Sequence, residues 1–478
     1  MNFKLLLKLI PLILIGLLAL SLRLYKIDSP VLDWHSFRQA DTASVTREYV
    51  KNGVDLLHPK YHDLSNIQSG QDNPEGYRMV EFPIINGLLA TIIRTFPNLD
   101  LVTLSRFSSV LASLITLAAI YYLGYTWSGK TVGVIAAIVF ATLPFAIYYS
   151  RAILPEPYLL ATSTTAIACF QYWLITKRWW SYVLTFLLLG LSFLLKPFAV
   201  FLAPVFLGLL IAERNNLKLL QWLAIAGLSL SIVPLFLWRD WIQNFPTGIP
   251  VSDWLYNGNG IRLRPAWFRW LIWERVTKLF LGYTSIVFLP LSIIYPKNKE
   301  LLVYSCWWGG IVAFMIVFAT GNVQHDYYQN LMLPVLALSL GRGMTILARA
   351  LSKKLLPLLS WVIVIILYLV GVSISWMQVR GFYNINHWEY QRVGKVADEL
   401  LPADALVIAP AMGDTMFLYQ TNRRGWPLGF DIDQKISAGA THYVTTSKDD
   451  EANELKAKYT IIKESDEYVI IDLTKKKS

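Results

Sequence analysis

A carboxylate can take the proton from an attacking hydroxyl or amine, and cations can hold a leaving phosphate; this chain carries residues for both tasks beside its apolar runs. Between Phe37 and Lys51, Arg38, Asp41, Val45 and Glu48 recur at three- and four-residue steps, so Arg38 and Asp41 share one face of an expected helix. Asp33 and Ser36 supply start signals for that helix, and Asn52 with Gly53 supplies the stop. On an isolated surface helix such a stripe is a solvated ion pair. Beside an apolar bundle a carboxylate is costly unless paired or used, which raises the functional reading. Glu81 precedes Phe82 and Pro83 at the entry to a second, apolar helix expected over 83–94. There it suits the helix dipole, and it also supplies a second acid, so that one carboxylate can act as base while the other orients an acceptor.

Three basic residues fall at span ends: Arg106, Arg151 and Lys196. Each alone is explained by snorkelling toward headgroup phosphate, whereas convergence of the three would bind a lipid phosphate. Gln324, His325, Asp326, Tyr327 and Tyr328 stand between two later apolar runs, where His325 can donate to a phosphate oxygen. His58, His62 and Asp63 match no metal-ligand spacing, so no cofactor is expected, with a divalent metal as the lesser alternative.

The elements that must position these groups are membrane helices. The chain has 478 residues, 55% hydrophobic and 16% charged, with 18 Trp and 25 Tyr. Soluble chains carry about a quarter charged residues. A span needs roughly 20 apolar residues. Eleven runs qualify, near 4–22, 100–124, 131–150, 158–176, 180–195, 197–212, 219–238, 279–296, 301–320, 331–349 and 356–376. The first is read as an uncleaved span, because Arg23, Tyr25 and Lys26 follow it where a signal peptide would show a small-residue cleavage site. The fifth and sixth are parted only by Lys196 and Pro197, a tight turn at the membrane surface.

With the N-terminus cytoplasmic, the inner loops hold Lys130, then Lys177 and Arg178, Arg214 and Lys218, Lys297 and Lys299, and finally Arg349, Lys353 and Lys354. This basic bias accounts for the net charge of +11 without nucleic acid. It places segments 23–99 and 239–278 and the tail from 377 outside. Cys169 and Cys306 lie within apolar runs and read as buried hydrophobes. The tail 377–478 reads as a small α/β domain, with strands near 405–411, 441–446 and 468–473 and a helix over 389–401. Segment 1–376 is the membrane domain, including the loop 23–99.

At these residues the sequence resembles the membrane glycosyltransferases of the GT-C fold, in particular the protein O-mannosyltransferase-like group (family 39) and its relative, the aminoarabinose transferase of lipid A. The resemblance covers roughly residues 5–350. It is carried by Trp34-His35-Ser36-Phe37-Arg38-Gln39-Ala40-Asp41-Thr42-Ala43 leading to Arg47-Glu48-Tyr49, by Glu81-Phe82-Pro83, and by Ser150-Arg151 with Pro155-Glu156-Pro157. Leu195-Lys196-Pro197 and His325-Asp326-Tyr327-Tyr328 complete it. The resemblance implies a polyprenyl-phosphate sugar donor, a lipid, glycan or protein acceptor reached from the non-cytoplasmic side, and inversion at the anomeric carbon. It implies a catalytic acid early in the first loop and a second before the second loop helix.

Glu81 fits the second position. Many relatives carry an Asp-Glu pair where Arg38 and Gln39 stand here, so the first role passes to Asp41, with Asp33 in reserve. Arg38, Arg151, Lys196 and His325 are expected at the donor phosphate, with Arg106, Glu156 and Tyr328 as further candidates. The expectation is a multi-pass enzyme of the bacterial inner membrane. A polyprenyl-linked glycan ligase or polymerase, or a non-catalytic lipid transporter or flippase, is the alternative. A ligase places its large external loop late in the chain, and transporters show repeats and broken helices not evident here.

Overall fold

The computed structural model describes residues 3–214, 217–294 and 298–477. Lys297 and the last two residues of the expected span 279–296 lie outside them. Two compact units emerge. A helical unit comprises Met1–Ile27, Phe107–Arg239 and Ser252–Gly381; a mixed unit comprises Asp28–Arg106, Asp240–Val251 and Phe382–Ser478.

Among the described residues, six helices are long and apolar enough to cross a membrane, including Leu101–Ser128, Glu156–Thr176 and Asp326–Leu351. Shorter apolar helices, Ile10–Arg23, Lys130–Thr142, Trp179–Leu195 and Pro197–Glu213, lie at other expected spans. The chain is an integral membrane protein. Proline decides where several runs break. Lys196 is extended (φ −156°, ψ 124°), ending the Trp179–Leu195 helix ahead of Pro197, because the proline ring disfavours helical backbone in the residue before it. Leu143 is extended likewise between Lys130–Thr142 and Pro144–Tyr149. The run expected over 279–296 is no continuous helix. Tyr283 takes a left-handed φ of 63°, and the short turns Thr284–Val287 and Phe288–Leu291 follow. Just before it, Arg269–Phe280 winds as a wide π-helix that carries Arg275. Small residues let helices touch: a Cβ on Gly341 would lie 2.8 Å from the Ala136 amide nitrogen, the close approach on which helix packing in lipid depends.

The mixed unit holds a five-stranded sheet ordered β2-β1-β3-β5-β4, with β1 Leu406–Ile408, β2 Arg424–Trp426, β3 His442–Thr445, β4 Tyr459–Glu464 and β5 Val469–Lys476. β1 runs parallel to β2 and β3; β5 runs antiparallel to β3 and β4. β1, β3 and β5 and the Trp388–Leu400 helix answer the sequence expectation. The outer edge of β2 is occupied by loop residues: Gly425 N donates to His62 O at 2.9 Å, and Leu64 N donates to Gly425 O at 2.8 Å. An edge that would otherwise invite another strand is thereby closed.

The two expected loop helices form as Ser36–Asn52 and Ile84–Thr95 and pack together over Val45, Tyr49, Tyr61 and Ala90. Gly53 stops the first helix at φ 95°, with its amide bonded to Tyr49 O. Its start differs from expectation: His35, in left-handed backbone at φ 55°, caps it without a side-chain bond, and Ser36 is already helical.

Candidate active site

In the mixed unit the Ser36–Asn52 helix presents two charged positions one turn apart, and each meets a different partner. Arg38 Nη2 lies 2.5 Å from Glu81 Oε1. The side chain of Glu81 keeps 18% of its surface exposed. Asp41 is 1% exposed. It accepts from Gln68 Nε2 at 2.8 Å and Thr415 Oγ1 at 2.8 Å, and pairs with Arg78 Nη2 at 3.1 Å. Arg78 also donates to Gln68, closing a ring of charge and amide around the carboxylate. Asp33 is buried too, bridged to Arg106 Nη2 at 3.3 Å and bonded by Gln39 Nε2 at 2.8 Å. Gln39 thus serves Asp33.

The neighbours of Asp41 are themselves buried titratable groups. His62 donates from Nε2 to Thr415 O at 3.1 Å, and burial drives its pKa down to about 3, leaving the imidazole neutral. Burial raises Asp63 to about 6 and Asp414, which precedes Thr415, to about 6. Arg47 reaches the same tail segment, with its guanidinium 4.1 Å over the Tyr419 ring and Nη1 donating to Tyr419 O at 2.7 Å. His58 turns elsewhere, to Asp55 at 2.8 Å. Among the described residues no three of His, Cys, Asp and Glu are grouped as metal ligands.

In the helical unit Lys196 Nζ sits 3.0 Å from Glu156 Oε1. It also lies 5.5 Å from the Phe198 ring, 5.8 Å from Tyr327 and 5.5 Å from Tyr328. Glu156 heads its helix, where the dipole favours a carboxylate, and faces the Lys196 ammonium. His325 packs against Tyr327, Tyr328 and Trp254. Next to it Asp326 receives the Tyr149 hydroxyl and lies 3.5 Å from Arg275 Nη1. Arg151, 1% exposed, donates to Lys26 O at 3.0 Å and covers the Tyr148 ring.

The structure therefore joins Lys196, Glu156, His325 and Tyr328 in one cluster, with Arg151 tied to the adjoining Tyr148–Tyr149 step. Within the mixed unit it joins Arg38 to Glu81 and, separately, Arg106 to Asp33. Sequence reasoning missed Gln68, Arg78 and Thr415 around Asp41, and Tyr149 and Arg275 around Asp326. Arg275 lies in a segment read only as a loop, and Thr415 is 374 residues from Asp41; no local spacing announces either.

Residues 88–238 match the family model described as dolichyl-phosphate-mannose-protein mannosyltransferase. Among solved structures the chain is similar to ArnT from Cupriavidus metallidurans bound to undecaprenyl phosphate. That match has 14% identity and a TM-score of 0.64, over 96% of this chain and 97% of that one. It is also similar to the archaeal oligosaccharyltransferase AglB from Archaeoglobus fulgidus, in complex with an inhibitory peptide and a dolichol-phosphate. There the identity is 10% and the TM-score 0.57, over 96% of this chain and 73% of that one. A search of the curated proteins finds no significant match. The chain has the GT-C fold, in the ArnT-like form that its motifs implied.

Proposed function

We propose, from the premise of a GT-C fold running the length of the chain, that this protein transfers a sugar from a polyprenyl-phosphate donor to an acceptor on the non-cytoplasmic face of a bacterial inner membrane. The observation that carries the reading is the setting of Lys196. A basic side chain paired with Glu156 beside three aromatic rings, at a helix break in an apolar unit, is the kind of ionisable group that marks a functional site in membrane proteins. A lipid phosphate fits, since its charge pairs with the ammonium while its chain stays among apolar helices. The ArnT structure holds undecaprenyl phosphate and the AglB structure dolichol-phosphate, which supports the same class here. The basic bias of one set of loops supports the orientation.

The reaction is a direct displacement. The acceptor oxygen or nitrogen bonds to the anomeric carbon, the bond from that carbon to the phosphate oxygen breaks, and polyprenyl phosphate leaves with the electron pair. Lys196 and Arg151 receive the leaving phosphate, and His325 donates to it. Electrostatic help of this kind is often the largest single catalytic contribution.

Glu81 takes the acceptor proton. A base must come within hydrogen-bond reach of the proton it removes, and Glu81 keeps exposed surface while Asp41 is enclosed by three donors. Asp41 and Asp33 are assigned to positioning: the first holds residues 68, 78 and 415 together, and the second anchors Arg106. Arg38 orients Glu81, Glu156 holds Lys196, and Tyr328 shapes the surroundings of the ammonium. The test is incubation of the purified protein with a panel of polyprenyl-phosphate sugars and an acceptor mixture, following release of free polyprenyl phosphate. Release is expected with at least one donor; none with any donor overturns the reading.

A further inference from the structure

The mixed unit contains a cavity of about 630 Å³, walled by loop residues 64–74 on one side and by tail residues 406–438 on the other. That volume falls in the range of small-ligand sites. Its lining combines two aromatic rings, Trp426 and Phe430, with carboxylates and amides of Asp72, Asp431, Asn66 and Gln434. Among the described residues no hydrogen bond occupies those four polar side chains. Flat apolar faces beside acceptors and amide donors match one ligand class well: a pyranose ring, which is apolar on its C–H face and ringed by hydroxyls at its edge.

The mouth of the cavity is built at a conformational cost. Phe430 and Asp431 both take left-handed backbone, at φ 60° and φ 46°, a region that non-glycine residues rarely enter. Phe430 N donates to Glu451 Oε2 at 2.6 Å, and Lys435 Nζ donates to Gly429 O at 2.8 Å and to Phe430 O, so the strap is clamped in this form. What the clamp achieves is exposure: Phe430 is 68% exposed, although burial is the favourable fate of a phenyl group. Strain that displays an aromatic ring over a polar-lined hollow is what a ligand platform requires.

The cavity also adjoins the ring around Asp41 through the chain itself. Ile67 lines it and the next residue, Gln68, bonds Asp41; Gly413 packs on Ile67, and two residues later Thr415 bonds Asp41. We infer that this cavity is an oligosaccharide-binding subsite, with Phe430 as stacking platform and Asp431 and Gln434 as hydroxyl partners. That the bound oligosaccharide belongs to the acceptor rests on the transferase reading above; the binding itself does not.

The test uses the full-length protein in nanodiscs, titrated calorimetrically with mannotetraose, maltotetraose and chitotetraose. At least one is expected to bind. Phe430→Ala should weaken it by about tenfold, the scale of one lost stacking contact, and Gln434→Ala should weaken it further in combination. No binding of any of the three, or unchanged affinity in both variants, overturns the inference. Polyprenyl phosphate release measured in parallel keeps the two readings distinct. Oligosaccharide binding without release in any preparation sustains the subsite and removes the transferase; release without binding does the reverse.

Discussion

Asp41 in the mixed unit and Lys196 in the helical unit are both almost wholly buried, at 1% and 6% exposure, yet their surroundings differ in kind. Three directed donors close on Asp41 from residues 68, 78 and 415, a fixed polar network of the sort that specifies one arrangement of its parts. Lys196 pairs with the Glu156 carboxylate at 3.0 Å and lies beside the faces of three rings, whose attraction for a cation is less directional than a hydrogen bond. Burial alone therefore does not mark a catalytic charge. On the reading proposed above, the carboxylate enclosed by matched donors serves the frame, and the cation beside aromatic faces serves the donor phosphate.

The contrast is open to attack at four points. The largest effect is expected at Lys196. Lys196→Ala should lower kcat/KM for the donor by about a thousandfold, the scale of removing one electrostatic stabiliser, measured as polyprenyl phosphate release. The double variant Lys196→Ala/Glu156→Gln, which leaves no bare buried carboxylate, should regain stability without regaining activity. Wild-type donor kinetics in either variant would remove the phosphate role. Asp41→Asn should cost about 3 kcal/mol of unfolding stability, because it strands a buried guanidinium, and a thermal melt of the purified variant reads this directly. A melt matching wild type together with abolished transfer would make Asp41 the base and reverse the assignment.

Glu81→Gln should lower kcat by about a hundredfold, the lower range for general-base loss, with a melt lowered by no more than in Asp41→Asn, because it removes the charge that the Arg38 guanidinium faces. Full kcat in this variant would exclude Glu81. The smallest effect concerns His62. Its pKa is lowered to about 3, so the stability tied to its neutral form is present above its ordinary pKa near 6.5 and is lost as pH falls toward 3. Asp63 and Asp414, raised to about 6, act in the opposite sense, favouring the fold at low pH and losing that contribution as pH rises through about 6. The difference between His62→Gln and wild type isolates the histidine. Between pH 7 and pH 5 that difference should shift by about 2 kcal/mol, read from chemical denaturation at each pH. A pH-independent difference would show that His62 does not titrate as its burial requires.

Much of the fold was legible because lipid imposes long apolar runs and proline imposes their breaks. Lys196-Pro197 was read as a turn from two letters, and the helix breaks there, at an extended Lys196. The run over 279–296 misled for the opposite reason: its apolar stretches outweigh Gly282-Tyr283-Thr284-Ser285 and Pro290 within it, and the helix breaks there at the left-handed Tyr283. In the tail, β1, β3 and β5 are β-branched and readable, whereas β2 is Arg-Gly-Trp and β4 ends in Lys-Glu, too short or too charged to stand out. Candidate residues could be named from the sequence, but their partners could not. Asp41 and Glu81 look alike as isolated acids on a helical loop. What separates them is the arrival of Thr415, Gln68 and Arg78 at one and of Arg38 at the other.

The pairing of residues 62–64 with β2 also orders events in time. The loop strand leaves the ribosome some 360 residues before Gly425, and synthesis proceeds at about 5–20 residues per second. For tens of seconds the segment has no sheet to join, and the Asp41 ring lacks Thr415. The mixed unit is thus assembled last, by the final fifth of the chain, and a truncation that removes the tail also removes the partners that shape the loop.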